Sequence, residues 1–179
     1  MFSYIFVLAA VFSRVMPHPW FSFTAVGAAL LVFGARRSPK YFLIPVVALA
    51  ATDYYLTVFA YNYSFHISDY LVTWAWYLGA CWIGYAMLRK RANAGLVVGA
   101  ALGSSTSFFL ASNFAVWLAS PMYPHTTGGL AACYLAGLPF YRNDAIATTL
   151  LTAAVFGLPA LARKMTEQWQ GHDASGTAA

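Results

Sequence analysis

A row of polar side chains runs along one apolar segment of the sequence. Its members recur every fourth residue: Asp69, Thr73, Tyr77, Cys81 and Tyr85. Residues four apart lie on one face of an α-helix, so the row predicts a polar face that meets other polar groups or a bound molecule. Asp69, Tyr77 and Cys81 are therefore candidate binding residues. For Cys81, the alternative of a small buried apolar residue stays open.

An acidic residue, Asp53, lies inside the apolar stretch 41–63. At a rise of about 1.5 Å per residue it lies about 18 Å along a helix from Tyr41, close to the middle of a bilayer. A carboxylate at that depth costs several kcal/mol unless it is paired, protonated or hydrated. Asp53 is therefore a candidate for contact with a ligand or an ion. The alternative is a neutral carboxyl group that is hydrogen-bonded to a neighbouring helix.

A second set of polar residues lies in segment 120–144. A connection of this length in a compact helical protein is more often functional than idle. It and the apolar segment before it supply further candidate substrate-binding residues: Asn113, Tyr123, His125, Thr126, Tyr134 and Arg142. For any single tyrosine, the alternative is the aromatic belt that forms at membrane–water interfaces.

The elements that must position these residues are membrane-spanning helices. Of the 179 residues, 61% are hydrophobic and 8% are charged, against roughly 25% charged residues in a soluble domain. This balance predicts an all-α integral membrane protein and excludes a collagen, a disordered chain, a disulfide scaffold and a cytosolic enzyme. The net charge of +5 comes from short basic clusters between apolar stretches, so no nucleic-acid partner is expected.

About six apolar segments have the length of a bilayer-spanning helix or nearly so. They are residues 3–16, 20–35, 41–63, 69–88, 93–118 and 144–162. A shorter piece, 128–140, contains glycines and Pro139 and is predicted to be a re-entrant or surface segment. Together they predict a single transmembrane domain, residues 1–165. The polar tail 166–179 is predicted to be disordered.

The orientation follows from the basic residues, because cytoplasmic loops carry an excess of lysine and arginine. Eight of the ten fall in clusters on one predicted side: Arg36, Arg37, Lys40, Arg89, Lys90, Arg91, Arg163 and Lys164. We therefore expect a multi-pass protein with both termini in the cytoplasm. Loops 14–19, 62–69 and 120–144 then share the outer side.

The sequence lacks the common motifs of catalysis and metal binding. It has no GxxxxGK[ST], HExxH or GxSxG pattern, and the histidines of the outer loops, His18, His66 and His125, lack metal-ligand spacing. We expect no enzyme activity, no metal and no cofactor. The alternative is an intramembrane enzyme in which Cys81 or Cys133 acts with a histidine.

Three glycines, Gly95, Gly99 and Gly103, repeat every four residues. Such a tandem GxxxG pattern allows another helix backbone to approach closely. The pattern predicts either packing inside the bundle or docking of a partner subunit on this face.

Three stretches of the sequence resemble a known family. They are residues 14–31 (RVMPHPWFSFTAVGAALL), 107–118 (SFFLASNFAVWL) and 123–143 (YPHTTGGLAACYLAGLPFYRN). They resemble an uncharacterised family of small bacterial membrane proteins, over about residues 14–161. The resemblance implies a bacterial plasma-membrane location and a set of shared polar residues: Asp53, Asn113, Tyr123, Thr126, Cys133, Tyr134 and Asn143.

That family is similar in size, six-span plan and outward-facing site to the substrate-binding S components of energy-coupling-factor vitamin transporters. In those components a helical bundle binds a vitamin or a metal ion from outside and docks on a membrane coupling protein with two ATPases. Some solitary members bind cobalamin, with a membrane cysteine as a possible ligand to the cobalt, a role conceivable here for Cys81. The resemblance thus implies a vitamin-like ligand, a lipid bilayer and a membrane coupling subunit as partners.

Two functions are therefore expected. The first is capture of a small molecule in an outward-facing, polar and aromatic pocket of an uptake system. Aromatic rings would stack on a planar ligand, and polar groups would orient it; the residues are Trp74, Trp82, Tyr77 and Tyr123 for stacking, and Asp53, Asn113 and Arg142 for orientation. The alternative is a non-catalytic structural or accessory subunit of a larger membrane complex.

Overall fold

The fold is known here from a computed structural model, which describes residues 2–15 and 25–176. All regular structure in these two ranges is helical, so the predicted all-α class is confirmed. The helices are α1 (Phe2–Val15), α2 (Val26–Arg36), α3 (Leu43–Tyr55), α4 (Leu71–Leu88), α5 (Ala94–Ala119) and α6 (Thr127–Gly176). The predicted outer-loop residue His18 and the predicted start of the second span at Trp20 lie outside the described residues.

Three helical stretches are long and apolar enough to cross a membrane. They are Pro39–Ala60, which is α3 with short helical turns at both ends, Ile67–Leu88, which is α4 with the turn before it, and Ala94–Ala119, which is α5. The apolar helices Ser3–Val15 and Val26–Arg36 are shorter. Length and composition therefore indicate a membrane protein built as a helical bundle.

Helix α2 lies at the centre of this bundle. Residues 26–35 are all buried, and the helix packs against α1, α4, α5 and α6. Small residues make this possible, because Gly34 faces the backbone carbonyl of Cys81 and Gly84 of α4 faces the carbonyl of Leu31. Two helix backbones can approach this closely only where a side chain is missing.

Local signals in the sequence explain where several helices begin. Pro39 is the first residue of the turn that leads into α3, a position where the missing N–H of proline costs nothing. Asn93 caps α5, since its Oδ1 accepts a hydrogen bond from the backbone N–H of Leu96 at 2.9 Å. The Asn93 cap satisfies one of the backbone donors that a helix start leaves without a partner.

Residues 128–140 differ from the prediction. They do not form a separate re-entrant or surface segment but the first part of α6, which also contains the predicted sixth span, 144–162. Pro139 lies inside this helix and removes one backbone hydrogen bond, which neighbouring helices can compensate in a membrane protein. The helix ends at Gly176, beyond the predicted domain boundary at residue 165.

The glycine pattern on α5 lies on an open face. No heavy atom lies within 4 Å of a Cβ placed on Gly103, and only single side-chain atoms approach Gly95 and Gly99, at 3.6 Å. All three residues are exposed. Close packing inside the described bundle therefore uses Gly34 and Gly84 and leaves this face uncovered.

Candidate functional site

A polar cavity of about 410 Å³ lies between the helices. Every one of the six helices contributes to its wall. The charged and amide side chains are Arg14 of α1, Asp53 of α3, Asn113 of α5 and Asp144 of α6; the other lining residues are Val26, Tyr70, Thr73, Trp76, Tyr77, Ser105, Phe108, Phe109, Ser112, Gly137, Phe140 and Tyr141. This mixture of aromatic walls and a few convergent polar groups is typical of small-molecule sites.

The cavity lies in the half of the bundle that is remote from the basic clusters. On α4 it is lined by Thr73, Trp76 and Tyr77, near the start of the helix, whereas Arg89 follows the last residue of that helix. On α2 it reaches only Val26, the first residue, while Arg36 is the last. The cavity and the basic residues therefore occupy opposite ends of the same helices.

A buried ion pair forms one side of the cavity. The Arg14 guanidinium lies 2.5 Å from Asp53 Oδ1, and the Asp53 side chain is 1% exposed. Trp74 Nε1 donates to Asp53 Oδ2 at 3.0 Å, and Tyr77 Oη donates to the same oxygen at 3.2 Å. Tyr77 Oη also accepts from Arg14 Nη1 at 3.0 Å. Asp53 is thus paired and hydrogen-bonded, which compensates its cost inside a membrane.

A widened helical turn follows Asp53. Residues Leu56–Ala60 form a single π-helical turn, in which the backbone N–H of Tyr61 donates to the carbonyl of Leu56. Thr57 donates to the Asp53 carbonyl and hydrogen-bonds Tyr70 Oη, which brings Tyr70 to the cavity wall. Single π turns inside helices often accompany functional sites.

The cavity wall also contains an aspartate of α6, Asp144, without a charged partner among the described residues. Asp144 forms no ion pair with another described residue, and its Oδ2 is buried without a hydrogen-bond partner there. Its Oδ1 accepts only a long hydrogen bond, 3.5 Å, from Thr148 Oγ1. The hydroxyl of Ser105, which also lines the cavity, is likewise buried without a partner among the described residues.

Asn113 is held at the cavity by a close approach of α6. Its Nδ2 donates to the Phe109 carbonyl at 2.8 Å, and a Cβ on Gly137 would collide with the Asn113 amide group. Cys133 Sγ donates to the Asn113 backbone carbonyl at 3.3 Å. Cys133 is 2% exposed and is not part of the cavity wall. Its thiol therefore contacts the backbone of Asn113 from outside the cavity.

Three predicted site residues of segment 120–144 lie in the turn before α6 or within the first part of that helix. Thr126 caps the helix, because its Oγ1 accepts from the Gly129 backbone N–H at 3.1 Å. The His125 ring packs edge-on against Trp117, whose indole N–H donates to the Pro124 carbonyl. Tyr134 Oη donates to the Leu110 carbonyl at 2.9 Å. The turn joins α5 to α6 and lies outside the cavity.

The remaining candidates lie elsewhere. Cys81 is fully buried between α2 and α4, away from the cavity. Asp69 and His66 are both exposed and lie 4.0 Å apart. Arg142 is exposed, and Tyr123 is half-buried in the turn before α6. Of the predicted binding residues, the cavity therefore brings together Asp53, Tyr77 and Asn113.

Sequence reasoning missed the roles of Arg14 and Asp144. Arg14 is one of the two basic residues outside the three clusters, and this isolation was the signal that could have identified it as the partner of a buried acid. Asp144 is the first residue of the predicted span 144–162, but it lies inside α6, as the eighteenth residue of that helix. No pattern in the sequence reveals that Asp53 and Asp144 share a cavity.

Among the side chains that the structure describes, no three His, Cys, Asp or Glu groups lie close enough together to hold a metal ion.

Comparisons with known proteins give one match. No curated protein and no solved structure matches the sequence. The model of a family described as "Family of unknown function (DUF6580)" matches residues 1–169, which is most of the chain. The protein therefore belongs to the DUF6580 family.

Proposed function

We propose that this protein captures a small molecule in the cavity between its six helices, as the substrate-binding subunit of an uptake system similar to an S component. The observation that carries the proposal is the set of polar groups that converge on a cavity inside an apolar bundle. Polar groups at such depth are costly and are usually retained for a function. The cavity volume of about 410 Å³ suits a small organic molecule.

The direction of capture rests on the charge distribution. The described clusters at 36–40 and 89–91 lie at the end of the bundle opposite to the cavity. Because basic loops favour the cytoplasmic side, this arrangement supports an outward-facing cavity. In this proposal the chain has six spans, lies in the bacterial plasma membrane and keeps both termini in the cytoplasm.

The cavity can be tested by filling it. We expect Ser112→Phe, which places a benzyl group in the cavity wall, to reduce retention of a co-purifying small molecule at least about tenfold, since a ring occupying the site leaves no room for the ligand. Native mass spectrometry of protein extracted in mild detergent measures the bound mass. Wild-type protein should carry a defined small molecule.

The matched control is Ala111→Phe, which adds the same group one residue earlier at an exposed position outside the cavity. It should retain the ligand as the wild type does. Equal retention by Ser112→Phe and Ala111→Phe would contradict the assignment of the cavity. Wild-type protein without any bound small molecule would contradict the capture function.

The open glycine face of α5 favours a second candidate function, an accessory subunit that binds another membrane protein. We expect Gly103→Leu to dissociate such a complex, because a leucine would hold the partner backbone away from α5. The neighbouring exposed Val98→Leu is the control. Native mass spectrometry shows the partner directly, and a wild-type protein that is monomeric in mild detergent would exclude this function.

A further inference from the structure

The charges that face the cavity do not balance. The described ionisable side chains in its wall are Arg14, Asp53, Asp144 and the tyrosines Tyr70, Tyr77 and Tyr141. Arg14 is paired with Asp53, so those two charges cancel. Asp144 is left as an acidic side chain without a positively charged partner among the described residues.

The environment of Asp144 makes this imbalance costly. Its Oδ2 and the nearby Ser105 hydroxyl are buried, and neither has a hydrogen-bond partner within 3.5 Å among the described residues. The polar support for Asp144 comes from the Ser105 and Thr148 hydroxyls, and neither of them is charged. Burying a carboxylate oxygen without a hydrogen-bond donor destabilises the protein. A bound cation or donor would remove part of that cost. Both groups line the cavity, so the missing partner can come from a bound molecule.

Aromatic rings line the same cavity as Asp144. Phe108, Phe109 and Tyr141 line the same cavity, and the rings of Phe109 and Tyr141 lie 4.8 Å apart. Tyr141 Oη is already hydrogen-bonded to Thr106 Oγ1 at 3.0 Å, which holds its ring in place. Aromatic faces attract cations, most strongly where water is excluded.

We infer that the molecule captured in the cavity is an organic cation, with an ammonium or amidinium group that pairs with Asp144 and donates toward Ser105. This inference rests on the proposed function and specifies the charge of its ligand. The uncharged part of the molecule lies against Phe108, Phe109 and Tyr141. Arg14 does not repel the cation strongly, because Asp53 neutralises it.

The test compares ligands of equal shape and different charge. The probes are 2-phenylethylamine against 2-phenylethanol, and 3-phenylpropylamine against 3-phenylpropanol, titrated into purified protein while the fluorescence of the tryptophans is followed. We expect each amine to bind at least about tenfold more tightly than its alcohol, the difference that one hydrogen-bonded charge pair supplies. In Asp144→Asn the difference should fall to about twofold or less.

Asp69→Asn is the control, since it removes an exposed carboxylate outside the cavity and should keep the full preference for amines. Equal binding of amines and alcohols by wild-type protein overturns the inference and does not depend on any variant being stable. A neutral or anionic molecule found in the native mass spectrum also overturns it, while capture itself stands. If neither a probe nor a co-purified molecule binds, the proposed function fails as well.

Discussion

Replacing Arg14 by glutamine is expected to lower the free energy of unfolding by about 3–5 kcal/mol, the usual cost of removing one partner of a buried ion pair. Asp53 would keep its hydrogen bonds from Trp74 and Tyr77 but lose its counter-charge. Asp53→Asn should have a similar effect, because it leaves the Arg14 guanidinium without a carboxylate. Unfolding in mixed detergent micelles, followed by circular dichroism, measures both.

The double variant Arg14→Gln/Asp53→Asn separates charge from packing. It removes both charges and keeps a polar side chain at each position, so we expect it to recover at least half of the stability that either single variant loses. Asp69→Asn, at an exposed carboxylate, should change stability by about 0.5 kcal/mol or less. Strictly additive losses in the double variant would show that the two residues are not coupled, contrary to the ion pair.

Replacing Gly34 by alanine is expected to destabilise the protein by about 3 kcal/mol, the upper part of the range for an overpacked core. The added methyl group would meet the backbone carbonyl of Cys81, which cannot rotate away as a side chain can. Helices α2 and α4 would have to separate along their contact. Gly84→Ala should act in the same way, because its methyl group would meet the Leu31 carbonyl.

Gly79→Ala provides the matched control on α4, since no atom lies within 4 Å of its added methyl group. It should leave stability unchanged or raise it by up to about 1 kcal/mol, because alanine favours helix more than glycine does. The same unfolding measurement compares the three variants. A Gly34→Ala protein as stable as Gly79→Ala would rule out the close contact between α2 and α4.

Helix positions were largely predictable, because hydropathy and end signals are local properties of the chain. The segments predicted at 69–88 and 93–118 correspond to helical stretches Ile67–Leu88 and Ala94–Ala119. The basic clusters that follow residues 35 and 88 lie directly after the ends of two of the predicted segments. Residues 128–140 were the exception. Their proline and glycines predict an interruption of the helix, but α6 continues through them.

The composition of the site was only partly predictable, because it depends on which helices are neighbours. Asp53 and Asn113 could be singled out by polarity at membrane depth, and Tyr77 by its position in the four-residue row. That row is nevertheless divided in the structure, with Tyr77 at the cavity and Cys81 buried against α2. The neighbours of α4 decide which side of it is polar, and periodicity in one helix does not specify them.

The shortness of α2 determines how far a captured molecule would still have to travel. The helix has 11 residues and a length of about 16 Å, roughly half the thickness of the hydrocarbon core. Its first residue lines the cavity and its last is Arg36. In the proposed orientation, a solute beside Val26 would therefore be separated from the basic end of the bundle by only the length of this one enclosed helix.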